Sequence, residues 1–209
     1  MQRGRVLNFS KYRFLEFLKS NLYLLIGFLF LSIGAILGLV IFDDFKPITN
    51  FIKEFFEGYI SLRQNGSFLK ITLLSFLNSA LIFIVLFLAG ASLFGVVTVP
   101  LTLLFCGGFY GSAVAYLYAE FALKGVAFNA VIFLPSSLVF LLFLVFASRY
   151  SMFYSVELAR LTLPNSIQGD LFLQFKDYSI KFLLLTIGSL SAALIDGLTA
   201  TSMLRFFEF

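Results

Sequence analysis

Asp196 is the one ionisable side chain set well inside a candidate span, the apolar stretch 182–204, which holds no other Asp, Glu, Lys or Arg. A lone carboxylate at membrane depth costs about 2.5–3.5 kcal/mol on insertion scales, so it faces protein or water rather than lipid. Two roles suit such a residue. It is a proton or cation site, or it is a protonated or hydrogen-bonded structural acid near the outer interface. Gly188, Ala192 and Ala200 stand at multiples of four from it, which puts Asp196 on a narrow stripe suited to close helix packing. Asn78, with Ser75 and Ser79, places an amide and two hydroxyls on one side of a second apolar stretch. An inter-helix hydrogen bond is the ordinary account of that group, and solute binding is the alternative. Pro135, followed by Ser136 and Ser137, falls inside a further stretch. It signals either a simple kink or a broken helix that lines a cavity.

The remaining inventory excludes most enzymatic chemistry. The chain has no His, no Trp and a single cysteine, Cys106. Ser-His-Asp and Cys-His catalysis are impossible within the chain, as are an internal disulfide and a cysteine–histidine zinc site. No phosphate-binding glycine loop occurs. Cys106, inside an apolar run, reads as a small buried hydrophobe. No catalytic residue, cofactor or metal is expected, and the chain is read as a non-enzyme.

Composition identifies the elements that must position these residues. Of 209 residues, 60% are apolar and 12% charged, and phenylalanine alone fills 30 positions. A water-soluble domain of this size could not hide so much apolar surface. The fold class expected is all-α, a polytopic membrane helical bundle of about five transmembrane helices with interfacial amphipathic helices. The expected spans are 20–42, 71–89, 101–119, 126–148 and 182–204 of a single integral membrane domain, with a break near Gly90, Gly95 and Pro100. A span needs roughly 20 apolar residues. The basic segment 1–19 leads into a retained anchor rather than a cleaved signal, and 149–181 reads as a cytoplasmic loop. Within it, the fourth helix is expected to run on to Leu163 and stop at Pro164-Asn165.

Arg3, Arg5, Lys11, Arg13, Lys19, Arg149, Arg160, Lys176 and Lys181 then share one side, nine basic residues against six on the other: Lys46, Lys53, Arg63, Lys70, Lys124 and Arg205. That bias sets the N-terminus in the cytoplasm and the C-terminus outside a bacterial cell membrane. The net charge of +4 is grouped at membrane edges, which fits anionic lipid and excludes nucleic acid as a partner.

From Ile48 the apolar positions Phe51, Ile52, Phe55, Phe56, Tyr59 and Ile60 repeat on one helix face, with Lys53, Glu54 and Glu57 opposite. An extracellular amphipathic helix over 48–63 is expected, lying on the membrane or docking partners through Phe51, Phe55, Phe56 and Tyr59. Small residues mark the packing faces: Gly34 and Gly38 in the first span, Gly107 and Gly111 in the third, and Gly188 in the fifth. Lipid offers no hydrophobic drive for helix association, so these faces predict a tight bundle within the chain, with a homo-oligomer as the alternative use.

The order of these features resembles the stage II sporulation protein M family across nearly the whole chain. The matching features are the basic lead-in with Asn21, then Gly34 with Gly38, Phe51 to Phe56, and Phe76 to Asn78. They continue with Gly90 and Gly95, Gly107 and Gly111, and Leu134-Pro135-Ser136-Ser137-Leu138 at the position of the family's Leu-Pro motif. Where a branch of the family carries His-Gly and Glu after that pair, this chain has serines and apolar residues, which leaves no ionisable site to carry over. The resemblance implies a non-enzymatic role in endospore formation. In it, the protein holds an amidase/endopeptidase and a lytic transglycosylase at the septum during engulfment, as a scaffold for peptidoglycan remodelling. The competing reading is a transporter or permease subunit for a small solute or ion, with Asp196, Asn78 and the Pro135 break lining its path.

Overall fold

A computed structural model describes residues 21–42, 46–161 and 171–203. These form helices α1 (Leu22–Ile41), α2 (Lys46–Asn65), α3 (Phe68–Gly90), α4 (Gly95–Phe128), α5 (Leu134–Leu161) and α6 (Leu171–Met203), with a π turn, Asn129–Phe133, between α4 and α5. No strand occurs among the described residues. All but α2 belong to helical runs long and apolar enough to cross a membrane, and the fold is an all-α membrane helical bundle. Large apolar side chains such as Phe28, Ile36, Leu81, Phe105 and Leu184 cover its outside, a surface suited to hydrocarbon.

A helical run spans Gly95–Leu161, 67 residues, across a kink at Ala122. Drawn straight, it would measure about 100 Å, against a bilayer core of about 30 Å. It is folded in two instead. Ala122 adopts φ 47° and ψ −125°, outside helical space. Just beyond it, a Cβ on Gly125 would strike the carbonyl of Leu117. Residues eight apart lie about 12 Å apart along a straight helix, so the chain doubles back here and only glycine admits the close approach. The reversal lies between the expected segments 101–119 and 126–148.

Glycine also sets the tightest helix pair, α1 against α4. A Cβ on Gly34 would meet the Leu104 carbonyl, on Gly38 the Gly108 carbonyl, on Gly107 the Leu31 carbonyl and on Gly111 the Ala35 carbonyl. Backbones in such contact gain dispersion energy that lipid cannot match. Ser112 Oγ donates to the Gly38 carbonyl at 3.1 Å across this seam. All four glycines are therefore occupied inside the chain. Gly188 in α6 faces α5, where a Cβ would run into the ring of Phe143.

α3 ends at Gly90 and the chain turns through 91–94 into α4. Pro100 lies inside α4 rather than at the break. Serines of α5 hold the turn: Ser151 Oγ donates to the Leu86 carbonyl at 3.0 Å and Ser155 Oγ to the Ser92 carbonyl at 2.8 Å.

Within the expected loop 149–181, α5 runs on to Leu161, in line with the expected continuation to Leu163, and α6 already starts at Leu171, well ahead of the expected span at 182. Aromatic stacking extends both helices past their apolar runs. Tyr154 and Tyr178 stack with ring centroids 4.5 Å apart, and Phe87 stacks on Tyr178 at 5.0 Å. The expected segment 1–19 and the Pro164-Asn165 stop lie outside the described residues.

Candidate functional site

The apolar stripe of α2 turns inward. Ile52 and Phe56 are fully buried, in a core shared with Tyr116 and Leu117 of α4 and with Phe128, Ile132 and Phe133 beyond the reversal. Phe55 meets Phe109 edge-on with centroids 4.9 Å apart, and Tyr59 packs on Phe133 at 6.0 Å. Of the four residues expected to dock partners, Phe56 and Tyr59 thus face this chain's own bundle and Phe55 is half-buried against it. Phe51 alone is freely exposed, at 61%. Amphipathicity demanded that one face be covered, and α4 and the π turn cover it.

The same stripe brings Arg63 down to Asp196. Both are buried, with 6% and 4% exposure. Arg63 Nη2 pairs with Asp196 Oδ2. Ser75 Oγ of α3 donates to the same oxygen at 2.5 Å, and Tyr59 O–H donates to Oδ1 at 3.2 Å. Arg63 Nη1 donates to the Tyr59 carbonyl at 3.2 Å, and the guanidinium lies 3.1 Å from the centre of the Tyr59 ring. Charge pairing, three donors to one carboxylate and a cation–π contact form one network that ties α2, α3 and α6, with only the Arg63 Nε left without an acceptor among the described residues. A buried charge is tolerated only when paired and hydrogen-bonded. Arg63 supplies the counter-charge that Asp196 requires at this depth.

Asp196 also borders a cavity of about 700 Å³ beneath α2, between α3 and α4, and backed by α5 and α6. Asn78 and Ser79 of α3 and Cys106 and Tyr110 of α4 line it, as do Ser136 and Ser137 of α5. The π turn ends one residue before the Leu134-Pro135 pair. The hydroxyls of Ser136 and Ser137 donate to the Phe133 carbonyl at 3.2 and 2.7 Å. The structure thus gathers Asp196, Asn78 and the Pro135 segment around one space, while the packing glycines lie elsewhere. Among the described residues, no three Cys, Asp or Glu side chains gather to hold a metal ion.

Sequence reasoning missed Arg63 by counting it among basic residues outside the membrane. The signal was present in its spacing: 52, 56, 59 and 63 mark one helical face.

The model of the family described as stage II sporulation protein M matches residues 25–200. The chain belongs to that family. The match runs through the Arg63–Asp196 pair and the whole cavity lining. Neither the curated proteins nor the solved structures gave a match. Membership makes the chain a sporulation-related, multi-pass membrane protein, in a family not known for enzymes.

Proposed function

We propose that the protein is a non-enzymatic scaffold that recruits and positions peptidoglycan hydrolases, an amidase/endopeptidase and a lytic transglycosylase, at the septum during engulfment. The observation that carries this reading is the family match across residues 25–200. The buried pair supports it, because Arg63 and Asp196 neutralise each other and fasten α2 onto the bundle. With the N-terminus in the cytoplasm and five crossings, α2 lies on the outer side. Its free edge there, Phe51 with Lys53, Glu54 and Glu57, is the surface offered to partners.

Crosslinking, purification in mild detergent and mass spectrometry, from growing and from sporulating cells, test the reading. Stoichiometric wall hydrolases are expected in the sporulating sample alone, and they are lost on Phe51→Ser while the protein stays inserted. Recovery of no hydrolase would refute it. One observation favours transport instead, the cavity bordered by Asp196 and Asn78. On that reading, Asp196→Asn stops solute movement in a protein that remains folded.

A further inference from the structure

The cavity has a direction. At its α2 end it is polar, lined by Glu54, Arg63, Ser75 and Asp196, whereas Ile82, Phe105 and Phe140 line the part farther from α2. Asn78 and Phe105 are both exposed and stand on α3 and α4, so the space opens sideways between these helices, toward lipid. Its volume of about 700 Å³ falls in the range of roughly 300–1,000 Å³ typical of small-molecule sites. Two polar groups on its wall, the Asn78 amide and the Tyr110 hydroxyl, make no hydrogen bond to any described residue. An amide left so at the middle of a membrane helix is costly.

Charge narrows the occupant. Arg63 is the one cation in the lining and is already paired with Asp196, while Glu54 adds a negative charge at the rim. A phosphate head would therefore meet an acid and no free cation. A cationic head would leave the donors of Asn78 and Tyr110 without an acceptor.

We propose that this cavity is a binding site for an uncharged acylglycerol. Its ester and hydroxyl oxygens meet Asn78 and Tyr110, and its acyl chain runs between α3 and α4 against Ile82 and Phe105. The ligand arrives laterally from the bilayer, and the site is independent of the scaffold reading.

The test uses the full-length protein in maltoside detergent and a monoacylglycerol with a photoreactive diazirine midway along its chain. Labelling is expected to saturate, to be displaced by 1-oleoylglycerol, and to map to peptides containing Ile82 and Phe105. Ile82→Trp fills the end farther from α2 and should abolish it. Asn78→Leu removes one ordinary hydrogen bond, which weakens the apparent affinity about five-fold. Asn78 is exposed, so this variant carries the test even where the tryptophan upsets folding; elution profile and melting temperature verify both. Labelling that does not saturate would overturn the proposal. So would labelling indifferent to Asn78→Leu, or a phosphatidylglycerol probe that labels the same peptides more strongly.

Discussion

Replacing Asp196 by Asn changes its charge and almost nothing of its shape. Its single amide oxygen can still accept from one of the two hydroxyls, Ser75 at 2.5 Å on Oδ2 or Tyr59 at 3.2 Å on Oδ1, while its NH2 takes the place of the other oxygen. The guanidinium of Arg63, 6% exposed, loses its counter-ion. Removing one member of a buried pair costs about 3–5 kcal/mol, because the other is left uncompensated. For a chain of this length, each kcal/mol moves the melting midpoint by about 2–4 °C. Asp196→Asn should therefore melt roughly 6–20 °C below the wild type in detergent, as read by size exclusion after heating. Arg63→Met strands the acid instead and should cost a comparable amount. The double variant removes both charges and leaves a hydrogen-bonded amide beside an apolar side chain, so it should recover most of the loss. An unchanged midpoint for Asp196→Asn would refute the fastening role. Losses that simply add in the double variant would show that the two residues do not act as a pair. An acid kept only for transport would give the first of these results.

Two further predictions follow from backbone geometry. Gly38→Ala sets a methyl group on the Gly108 carbonyl. Pushing α1 off α4 should cost about 1–3 kcal/mol in the same melting assay. Gly58→Ala, with nothing within 4 Å of the added carbon, should instead gain up to about 1 kcal/mol, as an exposed helical glycine does. For topology, cysteines placed singly at Gly58, Leu93 and Leu123 in a Cys106→Ser background report on sidedness. A membrane-impermeant maleimide applied to intact cells should label positions 58 and 123, with 93 reacting only after permeabilisation. The reverse pattern would invert the orientation, and labelling of 93 and 123 from one side would remove the crossing between them.

Features governed by short-range sterics were readable in the chain. Gly34, Gly38, Gly107 and Gly111 announce close backbone contact because nothing else at their spacing explains four glycines in hydrocarbon, and each lies against an opposing backbone. The continuation of α5 past its apolar run was readable, with a helix expected to Leu163 and described to Leu161, but the start of α6 at Leu171 was not, since the stacking of Tyr154 on Tyr178 joins residues far apart in sequence. The positive φ of Ala122 has no sequence sign either; only the end of one expected span at 119 and the start of the next at 126 placed a turn near it. The π turn next to Pro135 was visible only as an interruption of unspecified form.

The candidate site shows where pattern reading stops, and why. The apolar stripe of α2 required a cover, but a lipid surface, a partner or the chain's own bundle would each meet that requirement equally. Hydrophobic burial is non-directional and does not name its partner. Charge is more discriminating. Asp196 in a span is unfavourable alone, and Arg63 on the stripe of an amphipathic helix would be unfavourable if that stripe were buried. Each cost is offset when the two meet. That meeting requires α2 to lie with its stripe on the bundle rather than on lipid, since a lipid-facing stripe would leave Asp196 without a counter-charge. An acid at membrane depth and a base on the apolar face of a neighbouring helix, read together, therefore select among the covers that hydrophobicity leaves open. The same reasoning leaves Phe51, which lies off the line through 52, 56, 59 and 63, exposed on α2.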